Sequence, residues 1–320
     1  MTTPASRHWT IADMPDLTGR TAVVTGANSG LGFETTAALA ARGANVTMAV
    51  RTVAKGEEAA ARIRERLAGA AGSGVPAGSL EVHPLDLADL SSVRAFAAAW
   101  IQAHPGGLDL LINNAGLMAI PRRETADGFE MQLGTNHLGH FALTGLMLGS
   151  LRPEGRVVSV ASLAHRMGRI TFDDLMREKR YTPFSAYGQS KLANLLFTYE
   201  LQRRLARAGM PVSAMAAHPG YAATHLQAVG PEMTGKRAAQ KFMDIGNSLV
   251  AQSAAMGALP TLYAATLPGL PGGSYIGPGG FLESRGYPRV VHSTAAARDE
   301  AVAARLWEVS ATLTGVSYLP

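Results

Sequence analysis

The sequence predicts a single doubly wound α/β domain, in which helices cover both faces of a parallel sheet. Three observations lead to this fold class. Short apolar runs alternate with longer helical patterns, which is the order of βα units. Glycines or small polar residues follow several of these runs, as they do where strands end at a ligand crevice. The chain has 320 residues, of which 47% are hydrophobic, and this is enough for one large core.

The composition excludes several kinds of function. The chain contains 0 cysteines, so disulfide bonds, cysteine nucleophiles and cysteine-ligated metals are ruled out. Its formal charge is +5, but only 17% of its residues are charged and aromatic residues are sparse, so we do not expect nucleic-acid binding. Residues 1–20 lack the apolar core of a signal peptide, and no segment approaches the roughly 20 apolar residues of a membrane span. We therefore expect a cytoplasmic protein without a transmembrane segment, in which residues 1–16 form an N-terminal tail.

A glycine-rich turn follows the first predicted strand. Residues 21–25 (T-A-V-V-T) form a short apolar run, residues 26–32 read G-A-N-S-G-L-G, and a helical pattern continues to residue 42. Glycines let the backbone turn tightly and approach a ligand closely, and a helix N-terminus offers unpaired N–H groups to phosphate. The stretch therefore predicts a binding site for a dinucleotide pyrophosphate.

Arg51 stands at the end of the second predicted strand, residues 45–50. In folds that bind NAD, this place usually holds an Asp or Glu that binds the ribose 2′-hydroxyl. An arginine suits the 2′-phosphate of NADP instead. The alternative is that Arg51 only ends a strand at the protein surface. We predict NADP(H) as the cofactor, with NAD less favoured.

The middle of the chain continues the alternation of helices and strands. We predict helices at residues 53–67, 91–103 and 126–151, strands at 80–85, 108–112 and 156–160, and an exposed loop at 68–79. The three strands are followed by Asp86-Leu87, by Asn113-Asn114-Ala115-Gly116 and by Ala161-Ser162. The glycine and small polar amides after the strand at 108–112 point to the ligand crevice of a doubly wound sheet.

The predicted helix at 126–151 contains the run G-T-N-H-L-G-H-F, which includes Asn136. Asn, Gly and His are poor helix formers, and such a local defect can mark a functional position. His137 and His140 are three residues apart and could bind a metal ion, but we find no third ligand with suitable spacing. We interpret both histidines as packing residues and predict no metal site.

The stretch Y-G-Q-S-K at residues 187–191 is the strongest catalytic candidate. On a helix, Tyr187 and Lys191 lie on one face. A cation about 4.5 Å from the phenol stabilises the phenolate by roughly 3–4 kcal/mol at an effective dielectric constant near 20, which is about two to three pKa units. Tyr187 could then exchange a proton with an alcohol or carbonyl oxygen near neutral pH. The same spacing also arises by chance, so the pair gains weight only from its neighbours.

The remaining chain has a regular part and an irregular part. The helix with Tyr187 is predicted to reach about residue 208, and a sixth strand at 211–217 ends in His218-Pro219-Gly220. Beyond it, glycines and prolines interrupt the apolar pattern, so we interpret residues 221–245 as a lid over an apolar substrate pocket, with core helix as the alternative. A short strand near 274–276 and a helix at 296–313 complete the prediction.

Taken together, these motifs resemble the short-chain dehydrogenase/reductase family over residues 17–313. The matching motifs are T-G-A-N-S-G-L-G from residue 25, D-L from residue 86, N-N-A-G from residue 113, Asn136, Ser162, Y-x-x-x-K from residue 187 and P-G from residue 219. The runs A-V-R-T-V-A-K-G-E-E, N-H-L-G-H-F and S-L-A-H-R are similar to retinol-dehydrogenase-like, WW-domain-oxidoreductase-like and protochlorophyllide-reductase-like members, which mostly use NADP. The chain departs from the family in having Ala161 before Ser162 and a longer segment between Ser162 and Tyr187.

The resemblance implies a Rossmann-type sheet of about seven parallel strands in the order 3-2-1-4-5-6-7. It also implies that Tyr187 donates or accepts the proton and that Ser162 binds the substrate oxygen. Lys191 would lower the tyrosine pKa and hold the nicotinamide ribose, and Asn136 would support a water that relays protons to Lys191. The implied cofactor contacts, besides Tyr187 and Lys191, are Gly26, Ser29, Gly30, Leu31 and Gly32 for the pyrophosphate and ribose, Arg51 for the 2′-phosphate, Asp86 and Leu87 for the adenine, Asn113 and Ala115 for the adenosine side, and Pro219, Gly220 and Thr224 for the pyrophosphate and carboxamide.

We therefore predict an NADP(H)-dependent oxidoreductase that transfers a hydride between nicotinamide and an apolar alcohol or carbonyl substrate. Two alternatives remain open. The enzyme could reduce a C=C bond of a conjugated substrate, or the chain could be a nucleotide-binding regulator without catalysis. The presence of all four reacting residues argues against the regulator. Residues 17–320 are expected to form one domain, and a homo-oligomer is left open.

Overall fold

The computed structural model describes residues 8–69, 75–221 and 252–320. These residues form an eight-stranded sheet in the order β3-β2-β1-β4-β5-β6-β7-β8. Strands β1 to β7 are parallel to their neighbours, whereas β8 pairs with β7 in the antiparallel direction. The strands are β1 (Thr21–Thr25), β2 (Asn45–Val50), β3 (Leu80–Pro84), β4 (Leu108–Asn113), β5 (Leu151–Val160), β6 (Ser213–Ala217), β7 (Tyr275–Pro278) and β8 (Pro288–Val290). The α/β fold, the seven parallel strands and their order are confirmed, and β8 is an addition.

Helices cover both faces of the sheet. They are α1 (Gly30–Ala41), α2 (Val53–Gly69), α3 (Leu90–Ala103), α4 (Met131–Leu133), α5 (Gly139–Met147), α6 (Pro183–Arg207), α7 (Ala254–Thr266) and α8 (Glu300–Thr314). On one face, α1, α2 and α7 pack against apolar strand residues such as Val24 and Met48. On the other face, α3, α5, α6 and α8 enclose Leu111 and Val157. Burial on both faces explains why the central strands read as continuous apolar runs.

Three elements differ from the sequence-based expectation. The predicted helix at 126–151 begins only at Met131 and is interrupted by a π-helical turn, Gly134–Leu138, before α5 continues. Strand β5 starts at Leu151 rather than at residue 156, because Leu151 pairs with Leu108 and a register shift absorbs the residues that read as a turn. Helix α7 was not predicted, because its alanines and glycine gave no amphipathic pattern, yet it is almost wholly buried against α1 and the sheet.

The structure describes only part of the predicted N-terminal tail and only one residue of the predicted lid. Residues 8–16, which the sequence analysis assigned to a tail, include a 3-10 turn at Ile11–Asp13 and place Met14 in the core with 2% of its surface exposed. The predicted lid at 221–245 and the predicted cofactor residue Thr224 lie outside the described residues, apart from Tyr221. Within the described ranges, no helix combines the length and apolar character that crossing a membrane requires.

Candidate active site

The predicted site residues gather at the carboxyl edge of the sheet. The turn after β1 holds the glycines, the turn after β4 holds Asn113 to Gly116, and Ser162 follows β5. Helix α6 brings Tyr187 and Lys191 to the same edge, and Pro219-Gly220 follows β6. This is the position at which doubly wound sheets bind their ligands.

The turn between β1 and α1 is built for close approach of a ligand to the backbone. Gly26 and Gly30 have φ of +65° and +53°, a left-handed conformation that favours glycine. A Cβ at Gly32 would overlap the carbonyl oxygen of Gly26 and the side chain of Asn114. Ser29 precedes α1 without capping it through its side chain, so the helix N-terminus keeps its backbone N–H donors for an anion. These residues fit the pyrophosphate of a dinucleotide.

Thr25 fixes the second turn of the cofactor side. Its hydroxyl accepts hydrogen bonds from the backbone N–H groups of Asn114 and Ala115, both at 2.9 Å. The Asn114 side chain donates in turn to the carbonyl of Thr25 at 2.7 Å. Two turns that come from distant parts of the chain are thereby held together. Sequence analysis included Thr25 only as the first residue of the motif T-G-A-N-S-G-L-G and gave it no role, since the partners of its hydroxyl are distant in the chain.

Asn136 lies inside the π-helical turn and is fully buried. Its side-chain oxygen accepts from Leu117 N at 2.7 Å, and its amide nitrogen donates to Leu117 O and to Ser190 Oγ, both at 2.9 Å. The predicted local defect in the helix therefore corresponds to an extra residue in the turn, and π turns recur at functional sites. A Cβ at Gly116 would lie 3.1 Å from Asn136 Oδ1 and 3.5 Å from Lys191 Nζ, so Asn136 and Lys191 face each other across Gly116.

Helix α6 begins with Thr182 as its N-cap and Pro183 in its first turn, a combination typical of helix starts. One turn later it buries Tyr187, which is 7% exposed, and Lys191, which is 3% exposed. Lys191 Nζ donates to the carbonyl of Val160 at 2.8 Å and lies 5.8 Å from the centroid of the Tyr187 ring. Burial lowers the pKa of Lys191 to about 8.

Tyr187 and Ser162 are hydrogen-bonded partners. Burial raises the pKa of the Tyr187 phenol, and the hydrogen bond with the Ser162 side chain opposes that rise. The pKa therefore moves in the direction opposite to the one expected from Lys191 alone, because the loss of hydration outweighs the stabilisation of the phenolate. The Ser162 hydroxyl also accepts from Ala164 N at 3.1 Å, which holds the serine at the start of a 3-10 turn, Leu163–Met167.

The remaining predicted cofactor residues occupy different environments. Arg51 is exposed just after β2 and makes no ion pair with any residue that the structure describes. Asp86 accepts from Ala88 N at 2.9 Å, and Leu87 is buried beside Gly139. The Asn113 side chain is buried and donates to Thr144 Oγ1 of α5 at 3.0 Å.

The turn after β6 is held from three sides. Gly220 has a φ of +65°, and its backbone N–H donates to His218 Nδ1 at 3.2 Å. Gln252 donates from its side chain to Pro219 O at 2.6 Å and from its backbone to Tyr221 O at 2.9 Å. The chain therefore leaves this edge at Tyr221 and returns to the same edge at Gln252.

His137 and His140 pack in the core, which decides between the surface and core packing that the sequence left open. Both are buried, and burial lowers their pKa values to about 3 and about 4. His140 Nδ1 donates to Asn136 O at 3.1 Å, and its Nε2 lies 2.9 Å from the hydroxyl of Thr25. His137 faces the opposite direction, toward Ser310 of α8 at 2.8 Å. Neither histidine belongs to a cluster of three potential metal ligands among the described residues.

A second cluster of titratable residues lies beside the site and was missed by sequence analysis. Glu283 accepts from Arg166 and from His218, while the rings of His165 and His218 both contact the ring of Tyr275. Some of these residues are more than a hundred positions apart in the chain. No local sequence pattern connects them, so the cluster can be recognised only in the folded structure.

Comparison with known proteins identifies relatives over most of the chain. A family model described as short chain dehydrogenase matches residues 20–234. Retinol dehydrogenase 14 from Mus musculus is 41% identical over 304 residues, which cover 93% of this chain and 86% of that protein. Retinol dehydrogenase 12 from Homo sapiens is 49% identical over 212 residues, which cover 66% of this chain and 64% of that protein.

Solved structures share the fold. The crystal structure of an uncharacterized protein from Mycobacterium paratuberculosis has a TM-score of 0.79 and 48% identity, with 98% of this chain and 100% of that chain covered. A short chain dehydrogenase from Burkholderia cenocepacia in complex with NADP has a TM-score of 0.60 and 24% identity, with 81% and 96% covered. The family model and the retinol dehydrogenases, together with the geometry at the carboxyl edge of the sheet, show that this chain belongs to the short-chain dehydrogenase/reductase family of oxidoreductases.

Proposed function

We propose that this protein is an NADP(H)-dependent oxidoreductase that interconverts an apolar alcohol and its carbonyl compound, with Tyr187 as the general acid and base. The observation that carries the proposal is the buried Tyr187 with its Ser162 partner, beside the buried Lys191 and Asn136. A regulator that only bound a nucleotide would have no need of a buried phenol, hydroxyl and ammonium at one place, because burying polar groups is unfavourable.

Each of these residues has a chemical role at a stated atom. NADP(H), when bound, supplies or accepts the hydride. As the carbonyl carbon gains the hydride, its oxygen becomes negative, and the hydroxyl groups of Ser162 and Tyr187 donate hydrogen bonds to it. Tyr187 transfers its proton to that oxygen. The Lys191 ammonium, held by the Val160 carbonyl, stabilises the phenolate that remains.

Asn136 serves in this proposal to hold the loop that faces Lys191. Both ends of its side-chain amide are bonded to the backbone of Leu117. The amide therefore keeps the wall around Gly116 at a fixed distance from the Lys191 ammonium. We also propose, from the resemblance to the family, that a water near Asn136 relays protons to Lys191.

The preference for NADP(H) is supported by Arg51. Arg51 is exposed directly after β2, whose neighbour β1 leads into the glycine turn, and it has no carboxylate partner among the described residues. A cation at this place can pair with a 2′-phosphate, whereas a carboxylate would favour the hydroxyl of NAD. The structure of the relative from Burkholderia cenocepacia contains NADP.

An apolar substrate is supported by the rim of the site and by the names of the relatives. Met167, which ends the 3-10 turn after Ser162, is 72% exposed, and Phe184, one turn before Tyr187, is 61% exposed. Phe281 and Leu282, next to Glu283, are 83% and 67% exposed. Exposed apolar side chains on the segments that carry Ser162, Tyr187 and Glu283 favour an apolar ligand. Retinol dehydrogenases are named for an apolar alcohol, and we propose a substrate of the same class.

The proposal is tested by measuring NADPH oxidation with a panel of apolar compounds. The panel contains retinal, a long-chain aldehyde, an aryl ketone and a conjugated enone, each with NADPH and with NADH. We expect turnover of an aldehyde or ketone, with the alcohol as product. Formation of a saturated carbonyl from the enone would identify a C=C reductase, and cofactor binding without turnover of any compound would favour the regulator.

A further inference from the structure

Glu283 joins the two turns that follow the neighbouring strands β5 and β6. Its Oε2 atom accepts from Arg166 Nη2 at 3.0 Å and from His218 Nε2 at 3.1 Å. Arg166 belongs to the 3-10 turn that begins at Ser162, and His218 directly precedes Pro219-Gly220. One carboxylate oxygen thus connects the turn of the proposed substrate-binding serine with a turn of the proposed cofactor site.

His218 links the Glu283 carboxylate to the backbone of Gly220. His218 is fully buried and its Nδ1 accepts from the backbone N–H of Gly220, so the ring carries its proton on Nε2, which donates to Glu283. Gly220 sits where a Cβ would overlap the carbonyl oxygen of Ser284. The same carbonyl accepts from Tyr221 N at 2.7 Å. A movement of Glu283 would therefore move the Pro219-Gly220 turn.

The backbone that presents Glu283 is strained. Leu282 and Glu283 have φ of +49° and +57°, and two consecutive residues with side chains rarely adopt this left-handed conformation. Such strain persists only where the surroundings hold it; here the backbone N–H groups of Glu283 and Ser284 donate to Gly280 O and Phe281 O, both at 3.0 Å, and the Glu283 carboxylate adds its two hydrogen bonds.

We infer that Glu283 is a positioning residue that couples the Ser162 turn to the Pro219-Gly220 turn, so that substrate-oxygen and cofactor contacts are set together. The inference rests on the proposed function. It implies that a change on the serine side, at Arg166, alters cofactor affinity through Glu283. It also implies that the effect of Arg166 disappears once Glu283 is removed.

The test uses Arg166→Ala, Glu283→Ala, the double variant and the conservative variant Glu283→Gln. NADPH affinity is measured by fluorescence titration, kcat and KM are measured with an aldehyde that the wild type accepts, and thermal unfolding monitors the fold. Glu308→Ala is the matched control, because Glu308 also pairs with an arginine, Arg204 at 2.9 Å, but lies on α8 away from the site.

We expect Glu283→Ala to weaken NADPH binding and to lower kcat by about fivefold each, the size typical of coupled neighbours. Arg166→Ala should show a smaller loss, and the double variant should match Glu283→Ala alone. Glu283→Gln should recover part of both losses, since an amide oxygen still accepts from His218. Glu308→Ala should leave affinity and kcat unchanged.

Several results would overturn the inference while leaving the proposed function intact. These are a Glu283→Ala variant with wild-type affinity and kcat, losses that multiply independently in the double variant, and equal losses in Glu308→Ala. A wild type that binds neither NADPH nor NADH would contradict the proposed function and the inference together. The titration needs no substrate, so the two failures are distinguishable.

Discussion

The two halves of the candidate site are held together by different means. The half after β1 and β4 is shaped by backbone: glycines in left-handed conformations, a bare helix N-terminus and the Thr25 hydroxyl that fixes two backbone N–H groups. The half after β5, β6 and β7 is held by buried or half-buried polar side chains, among them Lys191, His218 and Glu283. The first half should therefore be sensitive to added volume, and the second to altered hydrogen bonds and charge.

The largest effect on cofactor affinity is expected in the backbone half, at Gly32. Gly32→Ala places a Cβ against the carbonyl of Gly26, a backbone group that cannot move without opening the turn. We expect NADPH affinity to fall by about 100-fold or more, since the lost contacts are several hydrogen bonds to phosphate. Fluorescence titration of NADPH measures the change.

Gly149→Ala provides the control for Gly32→Ala. A Cβ at Gly149 has open space around it, with no atom within 4 Å among the described residues. This variant should bind NADPH like the wild type. If Gly32→Ala binds NADPH as tightly as Gly149→Ala does, then close approach of the backbone at Gly32 is not needed for cofactor binding.

The next effect belongs to the side-chain half. Ser162→Ala removes one hydroxyl donor to the substrate oxygen, and losing such a donor typically lowers kcat by about 10²-fold. NADPH affinity should change little, because the hydroxyl contacts Tyr187 and Ala164 rather than the glycine turn. Steady-state kinetics gives kcat, and fluorescence titration gives the NADPH affinity.

Ser274→Ala is the control. It removes a hydroxyl that donates to Pro271 O just before β7 begins. A kcat loss in Ser274→Ala as large as that in Ser162→Ala would argue against a special role for Ser162.

Arg51 tests cofactor choice within the backbone half. We expect NADPH to bind about tenfold more tightly than NADH, which corresponds to about 1.4 kcal/mol for a charge-assisted hydrogen bond. Arg51→Ala should remove this preference by weakening NADPH binding alone. The affinity for NADH serves as the internal control. Equal affinities in the wild type, or an unchanged preference in the variant, would contradict the assignment of NADP(H).

The last effect concerns the stability of the fold rather than cofactor binding or turnover, at a residue away from both halves. Burial lowers the pKa of His137 from 6.5 to about 3, so the folded protein holds it neutral while the unfolded chain takes up a proton below pH 6.5. The contribution of neutral His137 to the free energy of unfolding should therefore be fully present above pH 6.5. It should decrease as pH falls toward 3, by at most about 1.4 kcal/mol per pH unit. His137→Gln should flatten this part of the pH dependence. Urea unfolding of wild type and variant at pH values on both sides of 6.5 measures it, and identical pH dependences would contradict the effect.

The same division decides how much of the molecule could be predicted from sequence. The strands, most helices and the glycine turn follow from local periodicity and local residue types, and these are the parts that agree with the structure. Helix α7 and strand β8 escaped prediction because an evenly apolar helix and a three-residue edge strand carry no periodic signal. The interruption at Asn136 was visible as poor helix formers, although its π geometry was not.

The site was predicted unevenly for the same physical reason. Tyr187 and Lys191 are one helical turn apart, so their pairing could be inferred from spacing, whereas the role of Ser162 came from resemblance to the family. Their burial, which raises the pKa of Tyr187, depends on the packed fold and was not foreseen. Glu283 and His218 are brought together only by the pairing of strands that are distant in sequence.

The central claim, that Tyr187 transfers the proton, is tested most directly by Tyr187→Phe in a single turnover. The change removes one hydroxyl and little volume, so the fold and the NADPH affinity should stay within about twofold of the wild type. Enzyme in excess over NADPH is mixed with an aldehyde that the wild type reduces, and NADPH fluorescence is followed in time. We expect the rate of NADPH oxidation to fall by about 10²–10⁴-fold. A variant that oxidises bound NADPH at a rate near that of the wild type would contradict proton transfer by Tyr187.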